Sequence, residues 1–177
     1  MLAKKLFIAC LLLCAAFLAF VALQKPAGMA AFFAYGTDLE KATMAARAGG
    51  FEGAAAATAG GYALSFQSSQ NSEFGVANLV PDASASAPGA IYWLTPAQME
   101  ALERAEGVPG FYSRQYAEVR LANGTTVDAA MHVLAGEARP VAPSRPTVLA
   151  ISTGLSEFGY GAAEQGALAN AASQAGN

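Results

Sequence analysis

A glutamate placed where a helix must end, in line with that helix's apolar side chains, is the strongest chemical signal in this sequence. In the segment TPAQMEALERAEG, Thr95 is an N-cap residue, Pro96 occupies the first helical position, Gln98 completes a capping box and Gly107 supplies the stop. On a wheel of about 100° per residue, Met99 and Leu102 define the apolar face, and Glu106 falls only about 20° from Met99. Glu106 therefore points into the buried stripe, beside the negative end of the helix dipole, where a carboxyl group can take up a proton as well as give one. The alternative is a helix frayed at its last residue, with Glu106 turned into solvent. Glu100 and Glu103 read as a solvated helix face.

The second candidate is the turn Tyr35-Gly36-Thr37-Asp38, which follows the short apolar strand of AFFAYGTDL. Glycine in a strand-to-helix turn lets backbone N–H groups point outward together, an anion or oxyanion cradle that depends on no particular side chain. The one histidine, His132, has the opposite parity to Val127, Met131 and Val133 and shares a face with Asp128, the pattern of a solvated or core-edge histidine. Tyr62, Phe66, Tyr92 and Trp93 read as core aromatics. A single histidine excludes multi-histidine metal sites, and Cys10 and Cys14 both lie in the amino-terminal apolar run, so the remaining domain has no thiol for a disulfide, a zinc site or a nucleophile. No GxGxxG, GxxxxGK[ST] or GxSxG motif occurs.

The elements that must position these residues belong to one small domain. Of 177 residues, positions 6 to 23 form an uncharged apolar run behind Lys4 and Lys5. Those eighteen residues span about 27 Å as a helix, close to a hydrocarbon core of roughly 30 Å. The run reads as a membrane anchor over residues 1–25, followed by a linker at 26–30, with the domain carried to the extracytoplasmic, periplasmic side by the positive-inside rule. Export with signal cleavage near Ala30 is the alternative. Without residues 1–25 the chain keeps seven basic and thirteen acidic residues, a sign that opposes phosphate backbones and argues against nucleic-acid partners. The oligomeric state has no signature in the sequence.

Along the domain, an alanine-rich stretch from Glu40 to Ala48 fits a helix, and residues 49–61 a loose connection or a small-residue strand. Strands are expected over Tyr62–Ser68, Phe74–Val80 and Gly89–Leu94, with PDASASAP at 81–88 as punctuation. A hairpin turns around Asn123-Gly124, and a proline-rich link leads to an apolar segment at Thr147–Ile151 and an alanine-rich helical tail. Five or more short strands with two or three helices make an α+β domain on a mixed, mostly antiparallel sheet or small β-barrel with flanking helices.

Together, the pieces FFAYGTDL, GYALSFQ, GAIYWLTPAQMEALERAEGVPGFYSRQYAEVRL and APSRPTVLAISTGLSEFGYG resemble, in order, the gamma-glutamylcyclotransferase-like family. That family includes the plant avirulence-induced proteins and the gamma-glutamylamine cyclotransferases, and the resemblance extends over residues 31–172, leaving 173–177 as a tail. It implies a reaction in which the free α-amine of a small gamma-glutamyl amine or amino acid attacks its own γ-carbonyl, closing 5-oxoproline and expelling an amine, with no metal or cofactor. It also implies Glu106 as the catalytic acid/base, and a substrate-binding loop of Tyr35, Gly36, Thr37, Asp38 and Leu39 whose backbone amides hold the gamma-glutamyl group. Tyr112 would line the pocket, and Gly154-Leu155 would stand at a helix start. Three positions depart from the family pattern: Asp38 in place of asparagine, and His132 and Thr147 in place of tyrosines. A non-catalytic member that binds a small ligand or an envelope partner is the competing reading.

Overall fold

The computed structural model describes residues 28–70 and 72–176. The expected anchor and residues 26–27 of the linker lie outside these residues. Among the described residues no helix is long and apolar enough to cross a membrane.

Five strands close a barrel. Strand β1 (Ala30–Ala34) pairs antiparallel with β3 (Val76–Leu94) and parallel with β5 (Thr126–Leu134); β5 pairs with β4 (Tyr112–Leu121), β4 with β2 (Gly53–Ser68), and β2 with β3. A two-residue strand, β6 (Arg139–Pro140), lies on the end of β2. The flanking helices are α1 (Lys41–Ala48), α2 (Pro96–Glu106), α3 (Arg145–Glu157) and α4 (Ala162–Gln174), with a 3-10 turn at Thr37–Leu39. The α+β barrel with flanking helices is thus the fold that the sequence pattern suggests.

Two expectations change. Residues 53–68 form one strand, with a break in register between Gly60 and Tyr62, and residues 76–94 form one strand rather than two separated by a loop. The prolines that suggested punctuation, Pro81 and Pro88, face Tyr62 and Thr58 across the β2–β3 ladder. Only Ala90–Leu94 of β3 also pairs with β1, so both prolines sit where the strand has an edge, and their missing N–H interrupts no second ladder. The final apolar segment is likewise helical: α3 starts at Ser144, whose hydroxyl caps the Thr147 amide.

The core is filled by Phe33, Phe66, Ile91, Tyr92, Trp93, Leu121 and Met131 from the barrel, with Leu39, Met44, Leu102, Ile151 and Leu155 from the elements around it. Burying each large side chain contributes about 1.5–3 kcal/mol before conformational entropy is counted. Helix α3 packs on the 3-10 turn, and α1 packs on α2. Gly154 and Leu155, expected at a helix start, instead lie in the second half of α3. A Cβ on Gly154 would stand 2.6 Å from the Leu39 carbonyl carbon and 2.7 Å from the Glu40 nitrogen, so the glycine lets α3 press against the backbone of the turn. Tyr92 holds the same turn from below, its hydroxyl donating to the Leu39 carbonyl at 2.9 Å.

Candidate functional site

Glu106 is the last residue of α2, and its side chain is 9% exposed. The helix ends without fraying because both ends are closed. Thr95 and Gln98 make the reciprocal capping box, and Gly107 adopts the left-handed conformation with its N–H on the Glu103 and Arg104 carbonyls. Met99 and Leu102 are buried, as the wheel requires. Glu100, 71% exposed, pairs with Arg104 in solvent. Glu103 corrects the expectation of a solvated face: it is 17% exposed and ion-paired with Arg114 of β4, because its direction lies near the edge of the buried stripe.

The carboxylate of Glu106 is held by two cationic or imidazole groups. Its Oε2 is in short contact with His132 Nδ1, and its Oε1 lies 3.4 Å from Arg47 Nη1. The same Arg47 nitrogen donates to Asp38 Oδ1 at 2.9 Å. Asp38 is 4% exposed, and its carboxyl titrates well above the ordinary aspartate range, first because burial disfavours the charge and then because it hydrogen-bonds to Glu106 and shares that group's field. Arg47 opposes this shift without cancelling it. The negative charge that an aspartate in place of asparagine would bring to the loop is therefore suppressed by its surroundings.

His132 is not solvated. It is 3% exposed, since β5 is covered on both faces from Ala129 to Leu134, and its ring stands 4.7 Å from that of Phe32. Burial is the main cause that lowers its imidazole below the usual range. Tyr35 donates its hydroxyl to the His132 backbone carbonyl, which ties the end of β1 to β5. Burial, with the nearby carboxylates, raises the phenols of Tyr35 and Tyr112 above their ordinary value, so both are hydrogen-bond donors at neutral pH.

Tyr35, Gly36, Thr37, Asp38, Glu106 and Tyr112 line one cavity of about 490 Å³, within the range of small-molecule sites. Arg47, His132 and Thr147 line it as well. Leu39, grouped with the loop in the sequence, is fully buried and absent from the lining; it anchors the loop from the core. Arg47 had no signal in the sequence, because nothing in an alanine-rich helix shows that its last turn faces two carboxyls contributed by other elements. In the 3-10 turn the Leu39 and Glu40 amides close onto the Gly36 and Thr37 carbonyls. The amides of Thr37 and Asp38, at the turn's opening, have no intraturn acceptor. Among the described residues no three His, Asp or Glu side chains converge as a metal cage.

Comparisons place the chain in a family and its fold among known structures. The family model described as gamma-glutamyl cyclotransferase, AIG2-like, matches residues 32–148. A solved structure described as a gamma-glutamyl cyclotransferase superposes with a TM-score of 0.68 at 20% identity, over 80% of this chain and 86% of that one. An uncharacterized human protein gives 0.69 at 22% identity, over 80% and 87%. A yeast structure described as a gamma-glutamyl cyclotransferase specific to glutathione gives 0.59 at 11% identity, over 85% and 98%. At these identities the likeness is one of fold. A search of curated proteins finds no match.

Proposed function

Because the chain belongs to the gamma-glutamyl cyclotransferase, AIG2-like family, we propose that it releases 5-oxoproline from a small gamma-glutamyl amine or amino acid, with Glu106 as general acid and base. The observation that carries this reading is the single cavity shared by Glu106 and the 35–38 turn. In this reading a γ-carbonyl seated against the turn accepts from the Thr37 and Asp38 amides, which the turn's own Leu39 and Glu40 bonds leave unused and which stabilise the oxyanion as the substrate's own α-amine attacks. Ring closure is intramolecular, so the protein's main task is to hold the chain folded and to move protons. Glu106 receives a proton from the attacking nitrogen and returns it to the departing one. Arg47 and the Asp38 carboxyl hold Glu106 in place. With its charge suppressed by burial, Asp38 accommodates a substrate that carries an α-carboxylate. The uncharged run at residues 6–23 behind Lys4 and Lys5 supports a membrane-anchored or exported setting, which alkaline extraction of membranes tests.

The reading is tested by incubating the purified full chain with a panel of gamma-glutamyl amino acids and amines and following 5-oxoproline by mass spectrometry. Release from at least one member, lost in Glu106→Gln, is the expected result and identifies the leaving amine. A folded chain that binds a panel member without turning it over favours the non-catalytic reading.

A further inference from the structure

Cyclisation works on two nitrogens. The attacking α-ammonium loses two protons, because the lactam nitrogen of 5-oxoproline keeps one hydrogen of three, and the leaving nitrogen gains two, because the amine departs as an ammonium ion. A lone carboxylate has no proton for the leaving nitrogen until it has taken one from the attacking nitrogen. A second acid in the same cavity removes that constraint.

Asp38 lines the cavity with Glu106, and the two side chains are 5% and 9% exposed. Both carboxyls lie on one nitrogen, Arg47 Nη1, at 2.9 Å from Asp38 Oδ1 and 3.4 Å from Glu106 Oε1. One guanidinium balances one negative charge. His132, held neutral by burial, adds no second cation, and its Nδ1–H donates to Glu106 Oε2. Two buried carboxyls on a single cation therefore keep one proton between them, and it rests on Asp38, the more enclosed of the two. With Oε2 of Glu106 taken by the imidazole, Oε1 is the oxygen left to exchange protons, and it shares its arginine nitrogen with Asp38.

We propose that Asp38 is the general acid of the cyclisation and Glu106 its general base, the two exchanging a proton beside Arg47 in each turnover. The inference rests on the cyclotransferase reading, which seats the γ-carbonyl oxygen on the Thr37 and Asp38 amides. The leaving nitrogen, bonded to the same carbon, then comes to the Asp38 side chain. Glu106 takes one proton from the α-ammonium, whose nitrogen attacks the γ-carbon. Asp38 gives its proton to the leaving nitrogen of the tetrahedral intermediate. The proton on Glu106 crosses to Asp38, and Glu106 takes the second proton from the ring nitrogen as the old C–N bond breaks. That proton passes to the departing amine, which leaves as ammonium, with Glu106 ionised and Asp38 protonated as they began. Arg47 meets whichever carboxyl is ionised, so no step parts a charge from its cation.

The groups around Asp38 keep its proton in place between turnovers. Burial is the largest influence; Glu106 of α2 acts in the same direction, and Arg47 of α1 opposes both. The field of Asp38 also reaches His132 of β5, Tyr35 after β1, Tyr92 of β3 and Tyr112 of β4. Helix α3 packs on the turn as well, and its Glu157 is engaged by the Lys41 backbone N–H at 2.8 Å.

Two substrates separate an acid from a merely structural residue, γ-glutamyl ethylamide and γ-glutamyl 4-nitroanilide, because an alkylamine leaves only when protonated and a nitroaniline leaves with little help. Asp38→Asn keeps the shape of the side chain and removes the acid. In the purified full chain it is expected to lower kcat on the ethylamide about tenfold or more and on the anilide about threefold or less, with KM little changed. Wild-type kcat on the ethylamide is expected to fall as pH rises through the Asp38 titration, and Asp38→Asn to lack that alkaline limb. Where the anilide is not turned over, the limb decides. Should Asp38→Asn fail to fold, the wild type can be read directly: the chain has three aspartates, Asp38, Asp82 and Asp128, so carbon-13 at the aspartate carboxyls gives three signals. The signal of Asp38, the one left after Asp82→Asn and Asp128→Asn remove theirs, is expected in its protonated form at neutral pH. Equal losses on the two substrates, an unmoved alkaline limb in Asp38→Asn, or an ionised Asp38 at neutral pH overturns the acid role while leaving the cyclotransferase reading standing. A folded wild type that makes no 5-oxoproline from any gamma-glutamyl compound removes that reading and the acid role with it.

Discussion

Two stretches of β-structure in this molecule are built for different ends. Around the cavity, residues 31–34 of β1, Tyr35 just after it and residues 129–134 of β5 are buried throughout, and every polar side chain there is held by another element. In the middle of the long β2–β3 hairpin, residues 81–86 are mostly exposed, small or polar, and the register breaks opposite them at Gly60. The first region depends on the identity of each side chain, whereas the second needs only a chain able to stay extended. Backbone pairing alone builds the arm; the site needs pairing together with burial of charge.

The largest expected effect falls on the site. Glu106→Gln should lower kcat by about 10² to 10⁴, the usual worth of a general acid–base group, with the circular dichroism spectrum unchanged. Equal losses from substitutions in the hairpin middle would erase the contrast. Gly154→Ala comes next, since its Cβ would meet the backbone of Leu39 and Glu40 rather than a yielding side chain. Overpacking of this kind costs about 1–3 kcal/mol, and denaturant titration should show that loss together with reduced turnover, because the displaced segment is the binding loop.

Arg47→Met removes the group that bridges Asp38 and Glu106, and a fall in kcat/KM of about tenfold is expected from the lost charge-assisted hydrogen bonds. Asp38 itself gives a pH signature. A carboxyl raised on folding contributes stability that is fully present below its unfolded value, near 3.8, and that is lost as pH rises through its folded value. The melting temperature should therefore decline with rising pH above about 4, more gently in Asp38→Asn, as thermal unfolding across pH can show. Least affected should be Gly60→Ala, whose Cβ would meet nothing within 4 Å. There the stability change should stay within about 1 kcal/mol and turnover should not move.

The same contrast explains what the sequence disclosed. Helix α2 was legible to the residue because its caps are local: Thr95, Pro96, Gln98 and Gly107 each act within one turn of themselves. Spacing puts Glu106 in line with Met99 and Leu102 but leaves a frayed end open, and it is the closed Gly107 cap of the folded helix that keeps the carboxyl inside. The unbroken course of β3 was not legible, because whether a proline is tolerated depends on which side of the strand has a neighbour, a fact of the barrel rather than of the segment. His132 and Glu103 were misread for a related reason. Alternation along β5 assigns one face to solvent, but α2 covers that face, and only the folded chain shows it. Arg47 joins the site through two partners, nine and fifty-nine positions away, and no local pattern encodes such a meeting.

The most direct test of the central claim is the rate of 5-oxoproline release by the purified full chain and by Glu106→Gln on the same gamma-glutamyl substrate. The account predicts turnover in the first and a loss of at least about a hundredfold in the second. A folded wild type that releases no 5-oxoproline from any gamma-glutamyl compound, or a Glu106→Gln protein that releases it at the wild-type rate, would contradict it.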